Sequence, residues 1–113
     1  MSIKLERLGN IFTEEISKII QTELRDESIE FVTITYTKIS SDLSYAKVYF
    51  TVLDIEKKKE MELKLNNASK FIRSKLFDRV EIRKMPELTF VYDESVEYGN
   101  KIEHIIEEIK KED

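Results

Sequence analysis

The chain has 113 residues, 41% of them hydrophobic and 37% charged, with a net charge of −4 and no cysteine. That length suits one domain with one modest core, and the apolar content argues against disorder. Lack of cysteine excludes a disulfide framework and a thiolate metal site. No apolar run nears the roughly 18 residues of a membrane span, and "MSIKLERLGN" has no signal-like apolar stretch, so a cytoplasmic location is expected.

The first segment runs from about Leu5 to Leu24. Leu8, Phe12, Ile16, Ile19, Ile20 and Leu24 recur mostly at the helix period, with Thr13, Glu14 and Glu15 on the polar side. "EFVTITYTKIS" and "SYAKVYFTVL" are rich in β-branched and aromatic residues and read as strands. In the second, Ala46, Val48, Phe50 and Val52 share one face, and Tyr45, Lys47, Tyr49 and Thr51 the other. "SSDLS" between the strands predicts a short turn and an antiparallel hairpin.

A second helical segment is predicted from about Ile55 to Phe77, on the stripe Met61, Leu65, Ala68, Ile72 and Leu76. At about 100° per residue, Lys75 and Arg79 fall on or beside that stripe, so the helix is expected to end near Phe77 or Asp78. "MPELTFVYD" reads as a third strand opened by Pro86, with Leu88, Phe90 and Tyr92 on one face. A last helix, from about 94 to 110, carries Val96, Ile102, Ile105, Ile106 and Ile109, weakened early by Gly99. The order α-β-β-α-β-α, without repeats or linkers, predicts an α+β domain: three strands with helices covering one face.

Catalytic chemistry is hard to find. The one histidine, His104, sits in an apolar-periodic helix and reads as a surface or packing residue. Two glycines, Gly9 and Gly99, cannot build a phosphate-cradling loop, and no spacing among the 23 carboxylates marks a metal or hydrolytic site. Asp42 and Asp54 read as turn residues. A binder is expected, not an enzyme, with no cofactor and no metal.

Charge distribution says what it would bind. Lys64 to Lys84 holds seven positive residues against two negative, a local +5, and the rest of the chain carries −9. A weakly acidic domain can still present a basic face to phosphate. With the apolar stripe buried, Asn67, Lys70 and Ser74 point outward, flanked by Asn66, Arg73 and Phe77. Cations neutralise phosphates, while Asn and Ser add hydrogen bonds. Phe77 reads as packing on the core where the helix ends; its other reading is a base-stacking ring, suited to single-stranded RNA. The Tyr45, Lys47 and Tyr49 face has the same two readings, and cross-strand packing or cover by another element is the expected one.

Three pieces in order carry a family likeness: "SDLSYAKVY", the "IR" of Ile72-Arg73 within "FIRSKLF", and "PELTFVYD" from Pro86 to Asp93. With their spacing and the chain length, residues from about Leu5 to Ile109 resemble bacterial ribosome-binding factor A. The resemblance implies a type II KH-like fold, with a core of about 5–93 and the C-terminal helix of about 94–110 in a single ribosome-binding domain over 1–113. It implies a helix-kink-helix, with Ala-x-Gly at the kink in place of Gly-x-x-Gly. It also implies binding to the small (30S) subunit during late 16S rRNA maturation, growth in the cold, and no catalysis. Here the motif is Ala68-Ser69-Lys70. Lys70 stands where the family has Gly, and Lys suits a continuous helix, so a milder kink or one centred on Asn66 to Ser69 is expected.

The leading reading is a monomeric assembly factor contacting rRNA through Lys70, Arg73, Lys75, Arg79, Arg83 and Lys84. Two others stand beside it: a general KH-like module for single-stranded RNA, and a protein-interaction domain using acidic termini or a strand edge.

Overall fold

The structure is a computed structural model that describes residues 3–95. Its elements are α1 (Ile3–Thr22), β1 (Val32–Ile39), β2 (Tyr45–Val52), a 3-10 turn (Ile55–Lys57), α2 (Lys58–Asn67), α3 (Ser69–Arg79) and β3 (Glu87–Tyr92). Apart from its first two positions, the expected final helix, with Gly99 and His104, lies outside the described residues.

The strands form one sheet in the order β1-β2-β3. β1 and β2 are the expected antiparallel hairpin, while β3 runs parallel to β2, so α2 and α3 form the crossover that parallel pairing requires. One face of the sheet, with Ile34, Ile39, Ala46, Val48, Phe50, Leu88 and Phe90, is buried beneath the helices. The helices supply Phe12, Ile16 and Ile19 from α1, Met61 and Leu65 from α2, and Ile72 and Leu76 from α3. Burying each such large side chain contributes about 1.5–3 kcal/mol, which makes the periodic stripes decisive for the fold. The result is the α+β arrangement read from the sequence, with helices on one face, and it agrees with the KH-like expectation.

A bulge interrupts β1. Partners shift from Ile34↔Phe50 to Tyr36↔Tyr49, leaving Thr35 as the extra residue. Thr35 and Tyr36 therefore both face outward, and Thr37 returns inward. Thr37 is the one buried polar residue among those described, and the Thr13 hydroxyl donates to its Oγ1 at 2.9 Å. The helix approaches closely here: a Cβ added to Gly9 would lie 2.5 Å from the Thr37 carbonyl oxygen. Gly9 thus fixes the distance at which α1 lies on β1.

The β1–β2 turn is built from short polar side chains. The Ser40 hydroxyl donates to Asp42 Oδ1 at 2.8 Å, and Ser44 N–H donates to the same oxygen at 3.0 Å. These bonds, the Ser40 hydroxyl foremost, hold the Asp42 pKa below the ordinary carboxylate value. Leu43 adopts a left-handed backbone (φ 61°) to close the loop.

The long second helix divides at one residue. Ala68 has φ −92° and ψ 1°, and its N–H donates to both the Lys64 and Leu65 carbonyls at 3.1 Å. The break falls inside the Asn66–Ser69 window. Among described residues, positive φ occurs only at Phe31 and Leu43, so Lys70 stays helical. The apolar stripe passes through the break because the interruption tightens one turn without unwinding the next.

α3 also runs beyond the expected stop, ending at Arg79. Arg79 does not enter the core. Its guanidinium bridges Glu15 Oε2 at 3.1 Å and Glu23 Oε1 at 2.9 Å, both from the α1 region, with its side chain 29% exposed. Those two hydrogen-bonded carboxylates, Glu23 the larger cause, raise its pKa. An acidic pair on the packing partner lets the helix carry a cation beside its buried stripe.

Candidate nucleic-acid interface

β3 is an edge strand, and α2 closes its outer edge. Asn66 Nδ2 donates to the Phe90 carbonyl at 2.9 Å, and Phe90 N–H donates back to Asn66 Oδ1 at 2.8 Å. Glu62 Oε2 accepts from Tyr92 N–H at 2.9 Å. One amide therefore substitutes for a neighbouring strand, which protects an edge that would otherwise seek another chain. Asn66, expected on the flank of a binding face, is used by the fold.

Arg73 has a similar role. Its Nε donates to the Pro86 carbonyl at 3.0 Å and its Nη2 to the Met85 carbonyl at 2.6 Å. These charge-assisted bonds fasten the segment between α3 and β3, residues 80–86, against α3. Glu87 N–H then donates to the Ser44 carbonyl at 3.0 Å and sets the start of β3, directly after Pro86.

Between α3, this fastened segment and the start of β2 lies an open cleft. Its walls include Ser74 and Phe77 from α3, Arg83 and Lys84 from the segment, and Ser44 and Tyr45 from the hairpin. Phe77 is 54% exposed and Tyr45 61% exposed, so two rings flank the opening. The expectation that Phe77 packs on the core is corrected: the core beneath α3 is filled by Ile72 and Leu76, and Phe77 turns to the cleft. Lys70 lies one turn before Ser74 on the same helix face. Lys84 Nζ reaches Ser44 Oγ at 3.1 Å, which holds its ammonium at the rim. Asp78 and Glu87 also line the cleft, so its charge is mixed.

The six sequence-predicted cations thus separate. Arg83 and Lys84 stand in the cleft and Lys70 extends its helix face. Arg73 lines it, but its guanidinium is bound to backbone carbonyls. Lys75 turns to the flank, its ammonium 5.6 Å from the centre of the Phe71 ring. Phe71 stays 40% exposed and is not drawn inward at the break. Arg79 is held by two glutamates on the α1 side. Tyr45 was not linked to these residues by sequence reasoning. Its only signal was outward phase on β2, and its place beside Arg83 depends on the parallel β2–β3 register, in which Tyr45 pairs with Glu87.

The sheet's other face presents Tyr36, Lys38, Tyr45, Lys47 and Tyr49. Tyr36 and Tyr49 stack with centroids 5.4 Å apart and 25° between planes, which is the cross-strand packing expected for Tyr49. Of the two alternatives expected for this face, cross-strand packing is the one seen among the described residues. Those residues also contain no group of three or more His, Cys, Asp or Glu able to hold a metal, and no helix long and apolar enough to cross a membrane.

Residues 4–106 match the family model for ribosome-binding factor A. Ribosome-binding factor A of Staphylococcus epidermidis is 46% identical over 99% of this chain and 97% of its own length. The crystal structure of ribosome-binding factor A from Thermus thermophilus matches with a TM-score of 0.72 at 23% identity, covering 78% of this chain and 94% of that one. A homology model of the Thermus thermophilus factor, fitted into a cryo-EM map of a 30S complex, matches with a TM-score of 0.67 at 22% identity, covering 80% and 96% of the two chains. At those identities the likeness to the two structures concerns the fold.

Proposed function

The chain belongs to the ribosome-binding factor A family, and from that premise we propose that it binds the small ribosomal subunit and assists late 16S rRNA maturation. In this reading it is a cytoplasmic monomer that supports growth in the cold. Residues 1–113 act as one ribosome-binding domain, and the chain works by binding without catalysing a reaction. The observation that carries the proposal is the α3–β3 cleft. There Arg83 and Lys84 share one opening with the exposed rings of Phe77 and Tyr45, and Lys70 continues the same face of α3.

That arrangement fits irregular rRNA better than a regular duplex. Cations neutralise backbone phosphates, and rings accept bases only where those bases are unstacked. Arg73 serves as a positioning residue: its two carbonyl bonds hold the segment that presents Arg83 and Lys84. The break at Ala68 directs the face of α3 independently of α2. Lys70, where the family resemblance implies glycine, adds a cation to this face.

Co-sedimentation with small subunits at increasing salt tests the proposal. The R83Q/K84Q double variant is expected to weaken association severalfold and to flatten the log–log salt dependence by roughly 1.4, about 0.7 for each lost contact to single-stranded phosphate. Association that ignores both salt and the double variant would favour a protein-interaction domain. Equal affinity for free oligonucleotides and for subunits would favour a general RNA-binding module.

A further inference from the structure

We propose that the open face of the sheet is a second binding surface, for single-stranded RNA, continuous with the α3–β3 cleft through Tyr45. The inference rests on the reading of this chain as an RNA binder, but its observations lie on the opposite side of the sheet from the helices.

The first observation is the bulge. With regular alternation after Ile34, Thr35 would face out and Tyr36 would face the core. The extra residue turns Tyr36 outward as well, where it is 49% exposed and stacked on Tyr49. Bulges are used to re-aim side chains in this way. A paired tyrosine on a sheet face that no described element covers is a ready surface for a base, because every base has a π-face.

The second is a charge placement that folding does not explain. Lys38 and Lys47 are direct cross-strand partners, and both are exposed. Like charges directly opposite each other destabilise a strand pair. Neither lysine forms an ion pair with a described residue. Lysine on an edge strand deters sheet-to-sheet aggregation, which would account for Lys38 on β1 but not for Lys47 on the central strand. A polyanion between the two ammonium groups accounts for both.

The third is continuity. Tyr45, Lys47 and Tyr49 lie on the same face of β2 and span about 13 Å at roughly 3.3 Å per residue. Tyr45 also forms part of the cleft wall with Arg83 and Lys84. The acids bordering this path are at its ends: Glu87 beside Tyr45, and Asp93, which accepts from the Thr35 hydroxyl at 2.7 Å. A strand leaving the cleft therefore meets alternating rings and cations. A duplex offers phosphates but keeps its bases stacked away from the tyrosines, so the ring pair selects a single strand.

The test measures fluorescence anisotropy of the full chain with a short single-stranded RNA of mixed sequence, and with the same sequence closed into a duplex. Y36T/Y49T removes the rings while keeping strand-compatible residues, and Y36F/Y49F keeps them. The threonine pair is expected to weaken single-strand binding about tenfold or more, and the phenylalanine pair to bind within about twofold of the parent. Duplex binding should be unmoved by either. K38Q/K47Q should flatten the salt dependence of single-strand binding by roughly 1.4. Parental single-strand affinity and salt slope in both the threonine and glutamine pairs would overturn the inference. If circular dichroism shows that the threonine pair does not fold, the glutamine pair decides alone. If R83Q/K84Q weakens subunit association while the sheet variants leave RNA and subunit binding unchanged, the sheet inference fails and the family reading stands. If no variant alters either single-strand binding or subunit association, both fail.

Discussion

The helix-covered side of the sheet and the side left uncovered by the described residues use the same residue types in opposite ways. Beneath the helices, polar side chains are consumed by the fold: Asn66 completes the edge of β3, Arg73 holds two carbonyls, Arg79 bridges two glutamates, and Thr13 meets Thr37. On the uncovered side, Lys38 and Lys47 face each other without a carboxylate between them, and Tyr36 has been turned outward by a bulge. A cation in this protein is therefore informative only once its partner is known. Arg73 and Arg79, fitted to their acceptors, support the architecture, and Lys47, placed where it opposes folding, points outside the molecule.

The covered side is most sensitive at the α1–β1 seam. Gly9→Val puts branched carbon where even a Cβ would lie 2.5 Å from the Thr37 oxygen. Overpacking of that kind costs about 1–3 kcal/mol, and the backbone acceptor cannot swing aside, so the upper end is expected. Thermal unfolding checks this, and a Tm equal to the parent's would show that α1 lies on β1 more loosely than that 2.5 Å approach requires.

Asn66→Ala comes next. It leaves Phe90 N–H and C=O without their partners in a half-buried place, a loss of about 1–3 kcal/mol. Denaturant unfolding measures the loss. Hydrogen exchange at the Phe90 amide should rise in the variant more than exchange at β2 amides, since only the β3 edge loses cover.

The uncovered side should respond with the opposite sign. Lys47→Gln relieves the pairing with Lys38 and is expected to stabilise the free protein by a few tenths of a kcal/mol while weakening RNA binding. A destabilised variant would mean that Lys47 has a structural role, and would erase the contrast between the two sides.

The smallest effect lies in the β1–β2 turn. Asp42 titrates below the ordinary 3.8 because the Ser40 hydroxyl, then the Ser44 N–H, stabilises its charged form. A depressed folded-state pKa contributes stability above the unfolded value, and that contribution is lost as pH falls through the folded one. Stability should therefore decline below about pH 4, and Asp42→Asn should remove a small part of that slope in melts recorded across the acid range.

Much of the fold is legible in the residues themselves. Leu8 through Leu24, Met61 through Leu76 and the alternation from Ala46 to Val52 declare their elements because side-chain period follows from local backbone geometry. Pro86 marks the start of β3 for the same reason, since it cannot donate to a ladder. Family membership is legible too, in three short pieces at their proper spacing. The candidate site is legible only in part: charge alone marks Lys70, Arg83 and Lys84, whereas the roles of Arg73, Arg79 and Phe77 depend on surroundings that the sequence does not show.

What sequence alone determined here is which segments are helices and strands, which faces are apolar, and that a basic stretch sits in an acidic chain. What tertiary structure decided is which of those charges are spoken for. Arg79 meets Glu15 across 64 positions of sequence, Asn66 meets Phe90 across 24, and Tyr45 reaches the cleft through parallel pairing with Glu87. Periodicity is a property of neighbours along the chain. A hydrogen bond or ion pair is a property of neighbours in space, and only the folded packing of the helices on one another and on the sheet brings those partners together.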